Sequence, residues 1–221
     1  AKVFTKIIRE LTVAARDGGG AVEDNPGLRN LVDKAKAAQM PKDTMERAIA
    51  RGAGGQDGAE LVALTYEGYG PGGVAVLVET MTDNKNRTVA EVRHAFSKAG
   101  GNLGTDGSVA YLFDKKGQIV FAPGVQEDEV IEASIDAGAE DVDVSGEGAI
   151  EITTAPEDFR AVQDALNGAG FEPESAEIGM IPQTYTDLDE DQAEKVLRLL
   201  DMLEDLDDVT NLYTNANFPA G

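Results

Sequence analysis

The chain has no cysteine, no tryptophan and a single histidine, and its 19 basic residues are outnumbered by 41 acidic ones. Without cysteine there can be no disulfide, no thiolate nucleophile and no Cys-based zinc or iron–sulfur site, which fits a reducing compartment. The lone His94 has no nucleophile or second histidine to work with, so neither a catalytic triad nor a typical zinc site can be assembled around it. It reads as a surface side chain on a helix. No apolar run approaches the roughly 20 residues that a membrane-spanning helix needs, and no secretory leader pattern is present. These absences lead to the expectation of a cytoplasmic protein with no membrane partner, no cofactor and no metal. A helical pattern is already under way at Ala1 without an initiator methionine, so a preceding segment is expected.

What is present is a full-sized, core-forming chain: 221 residues, 42% hydrophobic and 27% charged, with a formal net charge of −22. That sum argues against a polyanion partner, but its distribution does not. Residues 1–51 hold ten basic and seven acidic residues, a net +3, whereas residues 117–221 hold three basic and 26 acidic ones, a net −23. Charge asymmetry of this kind points to an end that faces polyanions. The acidic end is equally read as a solubilising surface.

Three helices open the chain. Val3, Phe4, Ile7, Ile8, Leu11, Ala14 and Ala15 recur at helical spacing, and Lys2, Lys6, Arg9 and Arg16 share the opposite face. A second helix over about 28–39 carries Arg29 and Lys36 on one flank. A third, from Pro41–Thr44, sets Arg47 and Arg51 one turn apart. Gly52-Ala53-Gly54-Gly55 then reads as a linker. Strands follow at 61–69 and 74–81, joined through Gly70-Pro71-Gly72-Gly73. The next helix starts at a Thr88–Glu91 capping-box pattern and ends at Gly100-Gly101, and a strand is read at 108–113. Residues 117–181 repeat the order β-α-β-β-α-β of ferredoxin-like units. A helix at 189–204 and a strand at 209–213 complete the interrupted middle. The expected architecture is multidomain α+β: a helical bundle at 1–57, a discontinuous α+β domain at 58–116 and 182–221, and an inserted ferredoxin-like domain at 117–181.

Candidate chemistry is sparse. Carboxylates such as Glu127-Asp128-Glu129 and Asp189-Glu190-Asp191 sit at helix N-termini, where the macrodipole favours them. Glu204, Asp205, Asp207 and Asp208 lie near a helix C-terminus, where it does not. A basic partner would account for them, and so would plain solvation. The segment 68–73 lacks the Gly-Lys-Ser/Thr of a phosphate-binding loop and reads as a tight hairpin. The small polar residues of 100–108 offer either backbone N–H groups to an anion or an ordinary capped turn. Asp83-Asn84-Lys85-Asn86-Arg87 lies nearby at a helix start, also suited to an anion.

Several stretches resemble the YebC family: Phe4-Thr5-Lys6-Ile7-Ile8-Arg9-Glu10-Leu11, Arg47-Ala48-Ile49-Ala50-Arg51-Gly52, Tyr66 through Gly73, Asn86 through Phe96, Gly100 through Gly104, Ala137 through Asp141 and Leu200 through Asp205. The likeness runs in order along essentially the whole chain. It implies a three-domain protein of the order just read. It also implies a probable transcriptional regulator that binds promoter DNA. Relatives act in translation, as a mitochondrial activator of cytochrome oxidase synthesis and as bacterial factors that relieve ribosomes stalled at proline runs. Members usually begin with a strongly basic stretch, which is absent before Ala1.

The expected function is therefore a non-enzymatic, DNA-binding regulator of gene expression, with a ribosome-associated translation factor touching ribosomal RNA as the alternative. An enzyme using the interdomain cleft and an interaction module using the acidic domain remain as further classes. The residues expected to meet nucleic acid are Lys2, Lys6, Arg9, Arg16, Arg29, Lys36, Lys42, Arg47, Arg51, Lys85, Arg87 and Arg93. Oligomeric state is not legible.

Overall fold

The apolar stripe of the first segment closes into α1 (Lys2–Gly18), which buries Ile7, Leu11 and Ala15. The structure, a computed structural model, describes residues 2–54 and 61–219. Asn25 starts α2 (Pro26–Ala37) by accepting from the Leu28 N–H at 3.1 Å, with proline at the first helical position. The same side chain donates to the carbonyls of Ala14 and Gly19, so one residue ties the end of α1 to the start of α2. A third helix, α3 (Lys42–Ala53), adds Met45 and Ala48 to a core with Leu28 and Val32.

The expected linker at 52–55 is corrected by this packing: α3 runs through Gly52 to Ala53, and Gly52 is buried (Gly55 lies outside the described residues). A Cβ at Gly52 would stand 2.1 Å from the Thr12 carbonyl oxygen. Glycine is there because two helix backbones meet, not because the chain turns. Gly→Ala inside a helix ordinarily stabilises by about 1 kcal/mol. Here the clash reverses the sign, and Gly52→Ala is expected to cost about 1–3 kcal/mol as overpacking. Denaturant unfolding with a midpoint at or above the wild type would show that the helices have room to spare.

Beyond the bundle, β1 (Val62–Tyr69) and β2 (Ala75–Thr82) form an antiparallel hairpin with Tyr69 opposite Ala75. Gly72 and Gly73, at φ +77° and +81°, make its turn. Next come α4 (Lys85–Lys98) and the two-residue β3 (Asn102–Leu103). Far along the chain follow β8 (Thr186–Asp187), α7 (Glu190–Glu204), β9 (Val209–Thr214) and β10 (Ala216–Asn217). The sheet order is β3-β1-β2-β9, so its last strand comes from near the chain's end; β8 and β10 pair separately. Val76 and Val78 face a core with Val92 and Phe96 of α4 and Val196, Leu199 and Leu203 of α7.

Two local readings are overturned. The N-cap of α4 is Asn84, not Thr88: Asn84 accepts from the Arg87 N–H at 3.1 Å, and Thr88 is buried one turn inside the helix. The strand expected at 108–113 is instead a short helical turn, Ala110–Leu112, running into β4 (Phe113–Phe121). The N–H groups of Val109 and Ala110 are taken by the Glu67 carboxylate and cannot serve a ladder.

Residues 113–183 form a compact unit of their own, and residues 1–112 with 184–221 form the other. In the smaller unit β4 is followed by α5 (Glu127–Asp136), β5 (Asp141–Val144), β6 (Ile150–Thr154), α6 (Phe159–Gly168) and β7 (Ser175–Pro182). Its antiparallel sheet has the order β5-β6-β4-β7, which with the β-α-β-β-α-β succession is a ferredoxin-like arrangement. Ile119, Phe121, Val130, Ile152, Val162 and Leu166 fill its core.

Candidate nucleic-acid interface

The polar face of α1 does not look into solvent. Lys6 is only 6% exposed, with its ammonium bonded to the Glu204 carbonyl and 3.4 Å from the Glu204 carboxylate. Arg9 Nη1 donates to the Met81 carbonyl at 3.0 Å, the Asp207 carbonyl at 3.2 Å and Asp208 Oδ1 at 2.6 Å. Arg16 donates to the Leu61 carbonyl and to Asp17. The expectation that these three form an open phosphate-tracking stripe is corrected. Helical periodicity says which residues share a face; it does not say whether water or protein lies opposite. What lies opposite Lys6 and Arg9 is the C-terminal end of α7 and the acidic residues that follow it, with orphan carbonyls that suit cations. The carboxylates at that helix end therefore have a basic partner, and it comes from the same chain.

The other expected contacts divide in two. Lys36, Arg51, Lys85 and Arg93 are exposed and make no ion pair with another described residue. Lys42 and Arg47 are exposed as well, the first with only a loose 3.8 Å contact to Glu46 and the second 3.5 Å from the Thr44 hydroxyl. Arg29 is half-buried and donates to the Glu23 carbonyl at 2.8 Å. The side chain of Lys2 lies outside the described residues. Arg87 is committed elsewhere, to Asp83 and Asp208, so it too is corrected from free cation to structural partner.

Asp208 is the centre of that arrangement, and sequence reading did not separate it from the three neighbouring acids, for which a basic partner and plain solvation were both open. Its side chain is 3% exposed. Oδ1 accepts from Arg9 at 2.6 Å and Arg87 at 2.9 Å, while Oδ2 accepts from Arg87 Nε at 3.1 Å and lies 2.7 Å from the Thr88 hydroxyl. Burial pushes this carboxyl up, but the bonds from Arg87, Arg9 and Thr88 outweigh it and hold it below the usual carboxylate range. The Asp208 bonds raise Arg87 in turn, with Asp83 adding to them. Around the junction is a cleft of about 400 Å³ lined by Arg9, Asp83, Arg87, Glu91, Asp205, Leu206, Asp207 and Asp208. Five carboxylates against two guanidiniums make it a poor phosphate site.

The anion site considered for residues 100–108 is also filled from within. Glu67, buried in β1, accepts from the N–H groups of Gly107 at 2.7 Å, Val109 at 3.0 Å and Ala110 at 2.7 Å. Burial raises its pKa and the three donors lower it by more, leaving it below the ordinary value. The loop does cradle an anion, and that anion is a side chain of the same sheet. His94 is exposed on α4, away from any such constellation.

Two family models match the chain, the TACO1/YebC protein N-terminal domain over residues 1–55 and the TACO1/YebC second and third domain over residues 61–216. A probable transcriptional regulatory protein of Hahella chejuensis is 62% identical over 218 residues, covering 99% of this chain and 88% of that protein. The transcriptional regulatory protein PmpR of Pseudomonas aeruginosa is 61% identical with the same coverage. Among solved structures, a conserved hypothetical protein of Aquifex aeolicus superposes with a TM-score of 0.89 at 47% identity, over all of this chain and 91% of that one.

Proposed function

This chain belongs to the TACO1/YebC family, and from that premise we propose that it is a regulator of gene expression that binds duplex DNA through the outer faces of α2 and α3. The names carried by its relatives support the regulatory part. The observation that carries the DNA contact is the division of the cations: Lys6 and Arg9 of α1 are held by acceptors within the protein, while Lys36, Lys42, Arg47 and Arg51 stand exposed on α2 and α3. Lys85 and Arg93 add exposed charge on α4. Such side chains supply phosphate contacts, which position a protein on a duplex without reading its sequence.

A net charge of −22 makes the whole molecule unwelcome to DNA. Binding therefore depends on a local patch and falls steeply with salt, because each neutralised phosphate releases condensed counterions. Titration of a 20-base-pair duplex over a range of salt concentrations gives the slope of log K against log salt. Substituting Arg47→Ala and Arg51→Ala together is expected to reduce that slope by roughly two, about one for each phosphate that is no longer neutralised. A folded double variant with the wild-type slope refutes this surface.

A further inference from the structure

We propose that the acidic segment ending α7, Glu204 to Asp208, is an internal competitor for polyanion that occupies Lys6 and Arg9 and keeps them from DNA until α1 lifts off the sheet. The inference rests on DNA being the ligand of the bundle. Lys6 and Arg9 lie three residues apart on one helical face, the spacing of neighbours on a helix. Every acceptor they meet beyond α1 is an oxygen: the carbonyls of Met81, Glu204 and Asp207 and the carboxylates of Glu204 and Asp208. A phosphate backbone offers the same cations a stronger set of the same kind.

The packing permits such an exchange. The bundle core and the core under α4 and α7 are separate clusters with no residue in common. Of the buried apolar residues on α1 and β2, Val13, Ala75 and Leu77 belong to neither cluster. Lifting α1 together with α2 and α3, as one body, leaves both cores whole. It frees two more cations of the bundle for phosphate. The C-terminal end of α7, unfavourable for acids taken alone, thus holds them as a stand-in for nucleic acid.

The test compares the full chain with E204Q/D208N and with a control, E190Q/D201N, which removes two exposed α7 acids that make no ion pair with α1 among the described residues. DNA binding is measured on the 20-base-pair duplex, and exposure of Lys6 is read without DNA by its rate of acetylation with acetic anhydride. Masking predicts fast acetylation of Lys6 and a salt slope steeper by about two in E204Q/D208N, at roughly 0.9 per additional phosphate neutralised. The control is expected to keep the wild-type values. A slope equal to the control's overturns masking, whether or not Lys6 becomes reactive. Should E204Q/D208N lose its helical circular dichroism, E204Q/D205N/D207N leaves buried Asp208 in place and must move both readouts the same way; no movement overturns the proposal. An absent salt slope in the wild type overturns the DNA reading itself, while the acetylation rates still report on the contact.

Discussion

Replacing Asp208 with alanine is expected to lower the stability of the larger unit by about 3 kcal/mol at neutral pH, because it strips a buried carboxylate from two guanidiniums at once. Arg9 is the costlier orphan, with a side chain 20% exposed against 39% for Arg87, which water can partly serve. Thr88, 2.7 Å from the missing oxygen and buried, is left with neighbours on its own helix and at Thr82. The junction also has a definite pH dependence. A carboxyl held below its unfolded value gives stabilisation that is complete above the ordinary carboxylate range, near pH 4, and is lost as pH falls through the depressed folded value. Urea unfolding at pH 7 and at pH 3 should therefore show a smaller gap between wild type and Asp208→Ala at the lower pH than at the higher. An equal gap at both would mean that shape, not charge, holds the junction.

Glu67→Ala should cost a similar amount, about 3 kcal/mol, and its effect should be local. Three N–H groups converge on this carboxylate, and an unsatisfied buried donor costs about 1–3 kcal/mol. The loss will not reach three times that figure, because Gly107 is exposed and can turn to water. Val109 is fully buried and cannot. Hydrogen exchange at Val109 and Ala110 is expected to speed up far more than exchange in the β1–β2 ladder. Uniform acceleration across β1 and β2 would instead show that Glu67 supports the whole sheet. Glu67→Gln, which keeps an acceptor oxygen, should recover part of the protection.

The elements of this fold were largely legible because apolar periodicity and turn chemistry agree along most of the chain. The two units alternate helix and strand with clear breaks, and the Gly70–Gly73 hairpin turn follows from its glycines. The errors share one physical cause, a side chain or backbone answering to a partner distant in sequence. Gly52 reads as a linker until Thr12 is found against it. Thr88 reads as a cap until Asp208, 120 residues away, is found beside its hydroxyl. The same cause divides the candidate interface. Lys6 and Arg47 are indistinguishable as letters on a helix, yet one is buried on Glu204 and the other is exposed. The one advance sign was electrostatic: four acids at a helix end that disfavours them fitted a cationic partner as well as plain solvation.

The place of β9 in the sheet has a consequence for synthesis. Its residues, 209–214, are the ones that cover the free edge of β2, so a ribosome-bound chain carries that edge unpaired until those residues emerge. Residues 113–183 have no such wait, since all four strands of their sheet are consecutive in the chain. Once folded, they hold Phe113 opposite Pro182 as paired neighbours. The long excursion between β2 and β9 is thereby shortened to the segments 83–112 and 183–208 before closure is attempted, which lowers its entropic cost. The smaller unit thus serves as a splint for the larger one. Chains halted before residue 209 should keep a sticky edge and aggregate, while chains released whole should not.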